Sequence, residues 1–323
     1  MPPRWLLIHS PQKLRLPFPS LKDDRRKWLW ALLSVLSTSG WTGSAAGQTW
    51  NLNANGSWGT AANWSPASAP NAVDATANLG AVITAPRVVT LSVPVTIGTL
   101  NVSGNQAYTV SGANTLTFDV SSGTAALNVT GTAANTISSP IALNDSLALD
   151  QRSSGTLTLA GVVSGSGSIS KSGGGTVLLL GANIYTGTTT ISAGTLSVGA
   201  GGTTGTLGGG AVVNNGILQI SPSDASFTLS NDISGTGALT KSNAGTSTTL
   251  ILTGTNSYAG TTTITEGTIQ VGNGGTTGTL GTGGVITSGG TLALNRSDDI
   301  TLTNTISGTG ALRKMAAGTA TLT

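Results

Sequence analysis

Short runs of alternating apolar and polar residues, separated by glycine-containing dipeptides, fill the chain from residue 47 onward. In TLSVG at 195–199, Leu196 and Val198 alternate with polar residues, and TIQVG at 268–272 repeats this alternation. A period of two residues is typical of a strand with one buried face. Dipeptides such as Gly-Gly, Asn-Gly and Ser-Gly interrupt the runs and predict turns. Because no later segment keeps a 3.6-residue apolar period over a helix length, the pattern predicts an all-β protein.

Longer stretches of this pattern recur along the chain. GTTTISAGTLSVG at 187–199 returns as GTTTITEGTIQVG at 260–272, which is 73 positions later. SGSGSISKS at 164–172 returns as SGTGALTKS at 234–242, which is 70 positions later, and as SGTGALRKM at 307–315. Regularity at this scale indicates a repeat architecture, in which each unit buries its apolar face against its neighbours.

Two all-β architectures compete for this pattern. An antiparallel sandwich or propeller needs a compact core, usually filled by aromatic side chains, and beyond residue 46 the chain has only three Trp, three Tyr and two Phe. A parallel β-helix stacks coils of roughly 20–29 residues around a narrow aliphatic core. We therefore predict a parallel β-helix in which one unit makes three coils and places like residues above like. The predicted divisions are a cap with the first coils at 47–100, a β-helix at 101–323, repeat units near 164–233 and 234–306, and a truncated third unit from 307.

The first 46 residues have a different character. Half of the fourteen basic residues lie within residues 1–27, followed by the apolar run WLWALLSVL at 28–36 and a small-residue segment that ends at Ala46. This order predicts a secretory signal peptide over 1–46, and the apolar run is too short to span a bilayer. We expect a secreted or cell-surface protein with no transmembrane segment in the mature chain. The pair Arg25-Arg26 leaves both general and twin-arginine export open.

Charge and residue usage exclude several function classes. Beyond residue 46 the chain keeps seven basic and nine acidic residues, a net charge of −2, which argues against a nucleic-acid partner. The chain has no cysteine, and its single histidine, His9, lies in the predicted signal peptide. Thiolate or zinc sites and histidine-based catalysis are therefore not expected in the mature protein. We predict no catalytic residue, no metal site and no cofactor.

A family resemblance is carried by KSGGGTVLLLGANIYTGTTTISAGTLSVG at 171–199 and KSNAGTSTTLILTGTNSYAGTTTITEGTIQVG at 241–272. Both follow the order Lys, Gly-Thr, an apolar triplet, Gly-x-Asn-x-Tyr-x-Gly, a Thr run, and a final Gly-Thr strand. This order resembles the passenger-associated transport repeat, also called the autotransporter-associated β-strand repeat, and a third copy begins at 312–323. The resemblance implies a right-handed parallel β-helix that is secreted and displayed on a bacterial surface, with an outer-membrane translocator as a partner.

The sequence departs from the family pattern at its end. GTATLT at 318–323 stops before the next Gly-x-Asn-x-Tyr segment, and no strand-rich translocator segment follows it in the sequence. A broken gene, a fragment of a longer passenger and a secreted protein that uses another export route all fit this sequence.

Three groups of side chains are candidates for a site. Trp50, Trp58 and Trp64 either stack on the sugar rings of a surface polysaccharide or cap the first coil, and we favour the cap because a solenoid end must be covered. The candidate acid pairs for polysaccharide cleavage are Asp145 with Asp150, Asp224 with Asp232, and Asp298 with Asp299. Asp224 and Asp298 recur in equivalent loops of successive units, which favours a turn function over catalysis. The recurring lysines are Lys171, Lys241 and Lys314.

We interpret the recurring lysines as solvated repeat positions. The sequence as a whole thus predicts an exported, non-enzymatic β-helical stalk or surface-display segment. The alternatives are a carbohydrate-binding module that uses the three tryptophans and, less favoured, a polysaccharide-degrading enzyme.

Overall fold

The chain folds as a parallel β-helix. The structure is a computed structural model that describes residues 47–201, 205–222, 224–242 and 248–323, and the predicted signal peptide lies outside the described residues. Within those ranges the chain forms 33 strands and one short 3-10 helix, and every strand pair is parallel except the pair nearest the N-terminus. The solenoid has about 11 turns, which confirms the predicted fold class.

The strands have the following bounds. Those up to residue 165 are β1 (Gln48–Trp50), β2 (Gly56–Ser57), β3 (Trp64–Ser65), β4 (Thr76–Leu79), β5 (Arg87–Thr90), β6 (Val95–Ile97), β7 (Thr99–Val102), β8 (Tyr108–Ser111), β9 (Leu116–Phe118), β10 (Ala125–Val129), β11 (Asn135–Ile137), β12 (Ile141–Leu143), β13 (Leu147–Gln151), β14 (Leu157–Leu159) and β15 (Val163–Gly165). The next are β16 (Ile169–Ser172), β17 (Thr176–Leu179), β18 (Thr189–Ile191), β19 (Thr195–Val198), β20 (Val212–Asn214), β21 (Ile217–Ile220), β22 (Ser226–Leu229), β23 (Ile233–Ser234) and β24 (Ala238–Lys241). The last are β25 (Thr249–Leu252), β26 (Thr262–Ile264), β27 (Thr268–Val271), β28 (Val285–Thr287), β29 (Thr291–Leu294), β30 (Ile300–Leu302), β31 (Ile306–Gly308), β32 (Ala311–Lys314) and β33 (Ala320–Leu322). The 3-10 helix, Ala61–Asn63, lies between β2 and β3.

Each turn of the coil visits three faces in a fixed order. Face 1 carries a ten-stranded sheet of order β23-β20-β18-β16-β13-β10-β7-β4-β1-β3, and the two-stranded sheet β30-β33 continues it. Face 2 is a single twelve-stranded sheet of order β2-β5-β8-β11-β14-β17-β19-β21-β24-β26-β28-β31. Face 3 carries the four-stranded sheet β15-β12-β9-β6 and then the five-stranded sheet β22-β25-β27-β29-β32.

The core is a set of ladders that run along the axis of the solenoid. Because strand side chains alternate between the two sides, every second residue of each strand points inward and stacks on its registered partner. Each residue of one ladder on face 1 is at most 1% exposed. This ladder consists of Leu100, Leu127, Leu149, Lys171, Ile191 and Asn214. Burying one aliphatic side chain contributes roughly 1.5–3 kcal/mol, so the ladders supply the main favourable term in folding.

Polar ladders run along the outer side of the same face. Asn101 donates from Nδ2 to Oδ1 of Asn78 at 2.8 Å, and Asn128 donates to Oδ1 of Asn101 at the same distance. The amide carries both a donor and an acceptor, which lets identical side chains bond in a row. Stacked asparagines therefore reinforce the backbone ladder in these turns.

Equivalent residues of successive repeats do not lie above one another, so the prediction that one unit makes three coils is wrong by one face. Ile169 reaches Ile233 in three turns, through registered contacts with Thr189 and Val212. Leu239, the equivalent of Ile169 in the next repeat, lies six residues further on and belongs to face 2. One repeat therefore makes three turns plus one face, because it contains ten face segments and each turn uses three.

The Gly-x-Asn-x-Tyr-x-Gly segment takes the place of one strand in each repeat. In the first repeat, residues 181–187 follow β17 on face 3, where Ile184 and Thr186 donate backbone hydrogen bonds to the carbonyls of Val163 and Gly165 on β15. In the second repeat, residues 254–260 occupy face 1. The segment thus occupies one face of a turn without forming a regular strand. In the second repeat it lies one face further around the coil than in the first.

The tyrosine of this segment explains the glycine in the turn that follows. Tyr185 is fully buried, and its hydroxyl lies 2.7 Å from Oγ1 of Thr189. A Cβ atom placed on Gly208 would lie 2.2 Å from the carbonyl oxygen of Tyr185 and 2.5 Å from its ring. Gly281 meets Tyr258 with the same geometry. Glycine is required at these positions because the tyrosine ring lies directly beneath the backbone.

We expect Gly208→Ala to lower the free energy of unfolding by about 1–3 kcal/mol, since the methyl group overpacks a site with no free space. The matched control is Gly209→Ala, because a Cβ at Gly209 meets nothing within 4 Å. Thermal unfolding of both variants measures the difference. Equal losses in the two variants would contradict the packing argument.

Candidate functional site

The three candidate tryptophans lie inside the protein at its N-terminal end. Trp50 on β1 pairs with Trp64 on β3 in the antiparallel contact that closes the face 1 sheet. The rings of Trp50 and Trp64 have their centroids 5.2 Å apart, and those of Trp58 and Trp64 4.8 Å apart, both in edge-to-face packing. Each side chain is at most 1% exposed. The indole N–H groups donate to the carbonyls of Leu52, Pro70 and Trp58 at 2.7–2.8 Å.

This burial supports the cap and not the sugar platform. A sugar ring can stack only on an aromatic face that is open to solvent, and none of the three rings presents one. The aromatic cluster instead covers the apolar end of the first coil and satisfies its own polar atoms, as buried tryptophans usually do. The antiparallel β3 also covers the open edge of the face 1 sheet.

We expect Trp64→Ala to reduce the free energy of unfolding by roughly 3–5 kcal/mol, the usual range for truncation of a buried large aromatic residue. The control is Thr60→Ala, an exposed position in the same segment. Denaturant unfolding followed by tryptophan fluorescence measures both. A Trp64→Ala protein as stable as the control would contradict the cap.

The candidate carboxylates bind backbone groups of neighbouring turns. Asp145 accepts the N–H of Val120 at 2.9 Å. Asp232 accepts the N–H of Thr255 at 2.6 Å, and Asp299 does the same with Thr319. Each contact joins two successive turns across a corner. These carboxylates therefore hold successive turns together.

Two further candidate acids, Asp150 and Asp298, are held as charged partners of arginine. Arg296 donates to Asp298 from Nε at 2.8 Å and from Nη2 at 2.5 Å, and this hydrogen bonding lowers the pKa of the carboxyl. A glycosidase acid needs the opposite shift, because it must hold a proton near neutral pH. Asp150 forms an ion pair with Arg152 at 2.7 Å. Neither group is arranged as a general acid.

The described ranges also bear on metal binding and on membrane insertion. No group of three or more His, Cys, Asp or Glu side chains there is placed to hold a metal ion. No helix within those ranges has the length and apolar character needed to cross a bilayer.

The lysines show the largest departure from the sequence interpretation. Lys171 and Lys241 are 0% exposed, so the prediction of solvated positions is wrong for both. Lys171 is the third residue of β16 and shares its inward phase with Ile169, between Leu149 and Ile191 in the ladder. The sequence did contain a signal for this burial, because residue 171 lies two positions after the apolar Ile169 and therefore on the same, inward side of the strand. Lys314, in the last described turns, is exposed.

The buried ammonium of Lys171 is solvated by the backbone of a corner. Its Nζ donates to the carbonyls of Ala193 at 2.8 Å, Gly173 at 3.0 Å and Ser172 at 3.3 Å. Burial lowers the pKa of Lys171 to about 8, and the charge of Asp150 offsets part of this shift. Lys241 donates to Oγ1 of Thr248 at 2.7 Å, and burial lowers its pKa as well. Each lysine thus ties a corner of the coil from inside.

Stability should depend on pH through Lys171. The unfolded lysine has a pKa near 10.4, so between pH 8 and 10 the unfolded state binds more protons than the folded state. Unfolding free energy then rises with pH in this window. We expect the melting temperature of the wild type to rise relative to Lys171→Met between pH 8 and 10. The control Ser170→Ala, at an exposed position of the same strand, should follow the wild type. A constant difference between wild type and Lys171→Met would contradict the buried charge.

Asparagines bridge the places where the ladder loses its strands. Asn183 accepts the N–H of Val163 at 2.8 Å and donates to the carbonyl of Thr206 at 2.7 Å, so it connects three successive turns. Asn231 donates to the carbonyls of Gly208 and Gly210 at 2.8 and 2.6 Å. Asn256 and Asn304 make the equivalent bonds one repeat later. Buried backbone groups that lack a strand partner are satisfied in this way.

A groove opens on the surface beside each of these interruptions. The first groove, of about 410 Å³, lies on face 3 between residues 183–186 and 227–231, with residues 206–209 as its floor. The second groove, of about 380 Å³, lies on face 1 beside residues 279–282 and 299–304. The two are equivalent positions of successive repeats. Sequence reasoning missed them because they arise from contacts between segments about 20 residues apart.

Comparison with known proteins identifies the repeat. The family described as Passenger-associated-transport-repeat matches residues 169–198 and 239–271. The chain therefore contains two copies of this repeat, which confirms the resemblance found in the sequence. The adhesin BmaC autotransporter of Brucella suis biovar 1 (strain 1330) is 36% identical over 177 residues, which cover 49% of this chain and 5% of that protein. The chain spans only a small part of this relative's length. No solved structure matches the chain.

Proposed function

We propose that the chain is a non-enzymatic β-helical segment of an exported passenger, displayed at or released from a bacterial cell surface. The observation that carries the proposal is that both transport repeats are built into one continuous solenoid and contribute strands to the same face 2 sheet. About 11 turns at a strand spacing of roughly 4.8 Å give a rod about 50 Å long. A stalk is the function that this geometry serves best.

The bonding pattern also suits export of an extended chain. Apart from the antiparallel pair β1 and β3, each strand pairs only with the strands of the turns before and after it, so a turn needs no distant partner in order to form. Folding can then proceed turn by turn as the chain emerges from a translocator. The absence of cysteine means that no disulfide has to form during this process. These properties support a passenger that folds progressively after crossing a membrane.

The relative supports surface display without specifying a ligand. Its name describes an adhesin and an autotransporter, and the match covers 5% of its length. An adhesive role, a translocator partner and a surface location are therefore part of the proposal for this chain.

The test is to fuse the full chain, and a matched version without residues 1–46, to an autotransporter translocator barrel and to express both fusions in a Gram-negative host. Antibodies against the β-helix are then applied to intact cells, permeabilised cells and culture medium. We expect the full chain on intact cells or in the medium, and the shortened version in the cytosol. Recovery of the full chain only in the cytosol would contradict export, and recovery only in the periplasm would contradict surface display.

A further inference from the structure

The two grooves share a chemical lining. On one wall of the first groove Thr228 and Ser230 point outward, and the equivalent residues of the second groove are Thr301 and Thr303. All four are exposed, and their hydroxyls have no protein partner in the described part of the chain. Residues i and i+2 of a strand lie about 6.6 Å apart on the same side. Each groove therefore presents a pair of free hydroxyls at a fixed spacing.

The backbone of the same wall is also open. The carbonyls of Ala225 and Leu229 accept hydrogen bonds from the N–H groups of Thr249 and Thr253, on the side away from the groove. By the two-residue period of the ladder, the N–H and C=O of Thr228 point to the groove side. No backbone hydrogen bond joins residues 205–210 to 224–230 among the described residues. An unpaired backbone edge is a binding surface that proteins usually cover.

Charge excludes ionic ligands as the natural occupants. The described lining of the first groove contains no charged residue. In the second groove Arg296 and Asp299 line one end, but Arg296 is paired with Asp298 and Asp299 accepts the N–H of Thr319. A polyanion would find no free cation in either groove. Hydroxyls, amides and backbone groups beside a partly buried apolar side chain, Phe227 or Ile300, match a neutral ligand rich in hydroxyl groups.

We propose that these two grooves bind a neutral polysaccharide chain. The ligand's hydroxyls both donate and accept, so they pair with the free hydroxyls and with the open backbone of β22 and β30. The grooves are separated by three turns plus one face, which is about 16 Å along the axis at 4.8 Å per turn. One flexible chain that winds around the rod reaches both, whereas a small ligand occupies them independently. The stalk then holds glycan along its side, away from the tryptophan cap.

The test is affinity electrophoresis of the purified full chain through gels that contain dextran, laminarin or glycogen, with heparin as the polyanion comparison. The variants are Thr228→Glu, Thr301→Glu and both together, each of which puts a charge in a groove without touching the core. Thr90→Glu is the control, since Thr90 is an exposed strand residue outside both grooves. We expect retardation by at least one neutral polysaccharide, with a tenfold or greater rise in apparent Kd for the double variant. The single variants should be intermediate and the control unchanged.

Three outcomes would overturn the proposal: no retardation by any neutral polysaccharide, retardation by heparin alone, or a double variant that binds like the wild type. Equal melting temperatures show that the variants fold. If the double variant unfolds, amide chemical shifts of the wild type titrated with oligosaccharides of the retarding polymer replace it. Shifts confined to residues lining the grooves support the proposal, and shifts elsewhere overturn it. Both results are independent of whether the chain reaches the cell surface.

Discussion

The parallel backbone ladder between successive turns is the constraint on which the rest of this structure depends. No turn has a core of its own, because a single coil of three short strands buries its apolar side chains only against the coils above and below. The ladder fixes which residues point inward, and it does so by position and not by residue type. Lys171 is inside because the third residue of β16 stacks between Leu149 and Ile191, and its ammonium must then find carbonyls within reach.

Where the ladder is interrupted, side chains supply the hydrogen bonds and fill the core volume that a strand would otherwise provide. The hydrogen bonds are supplied by Asn183 and Asn231, whose amides reach carbonyls and an N–H that would otherwise face a strand. The volume is filled by Tyr185, which lies under Gly208. The motif Gly-x-Asn-x-Tyr is therefore a set of compensations for one missing strand. These side chains do not pair the backbone edge of β22, which remains open and lines the first groove.

The sequence predicted the fold because periodicity, glycine spacing and repetition are all local properties. The alternation in TLSVG at 195–199 requires no knowledge of its neighbours, and it corresponds to β19. The burial of Lys171 was missed because a lysine counts as polar in such a pattern, although Ile169 shows its phase. The grooves could not be predicted, since they depend on how a turn without strands at 206–209 meets β22. Periodicity along one strand carries no information about the contacts between turns.

Each repeat advances by one face because the number of face segments per repeat stays the same even where the number of residues changes. The two repeats differ by three residues, and this difference falls between β24 and β25, where the connection is longer than the one between β16 and β17. Strand β27 is nevertheless one face ahead of β19, as β24 is one face ahead of β16. Corners can therefore change length, and turns range from 19 residues, between Val177 and Leu196, to 33, between Gly56 and Val89. The number of face segments is what the ladder does not allow to vary. Each repeated surface feature consequently points in a new direction, and three repeats would return it to the face on which it began.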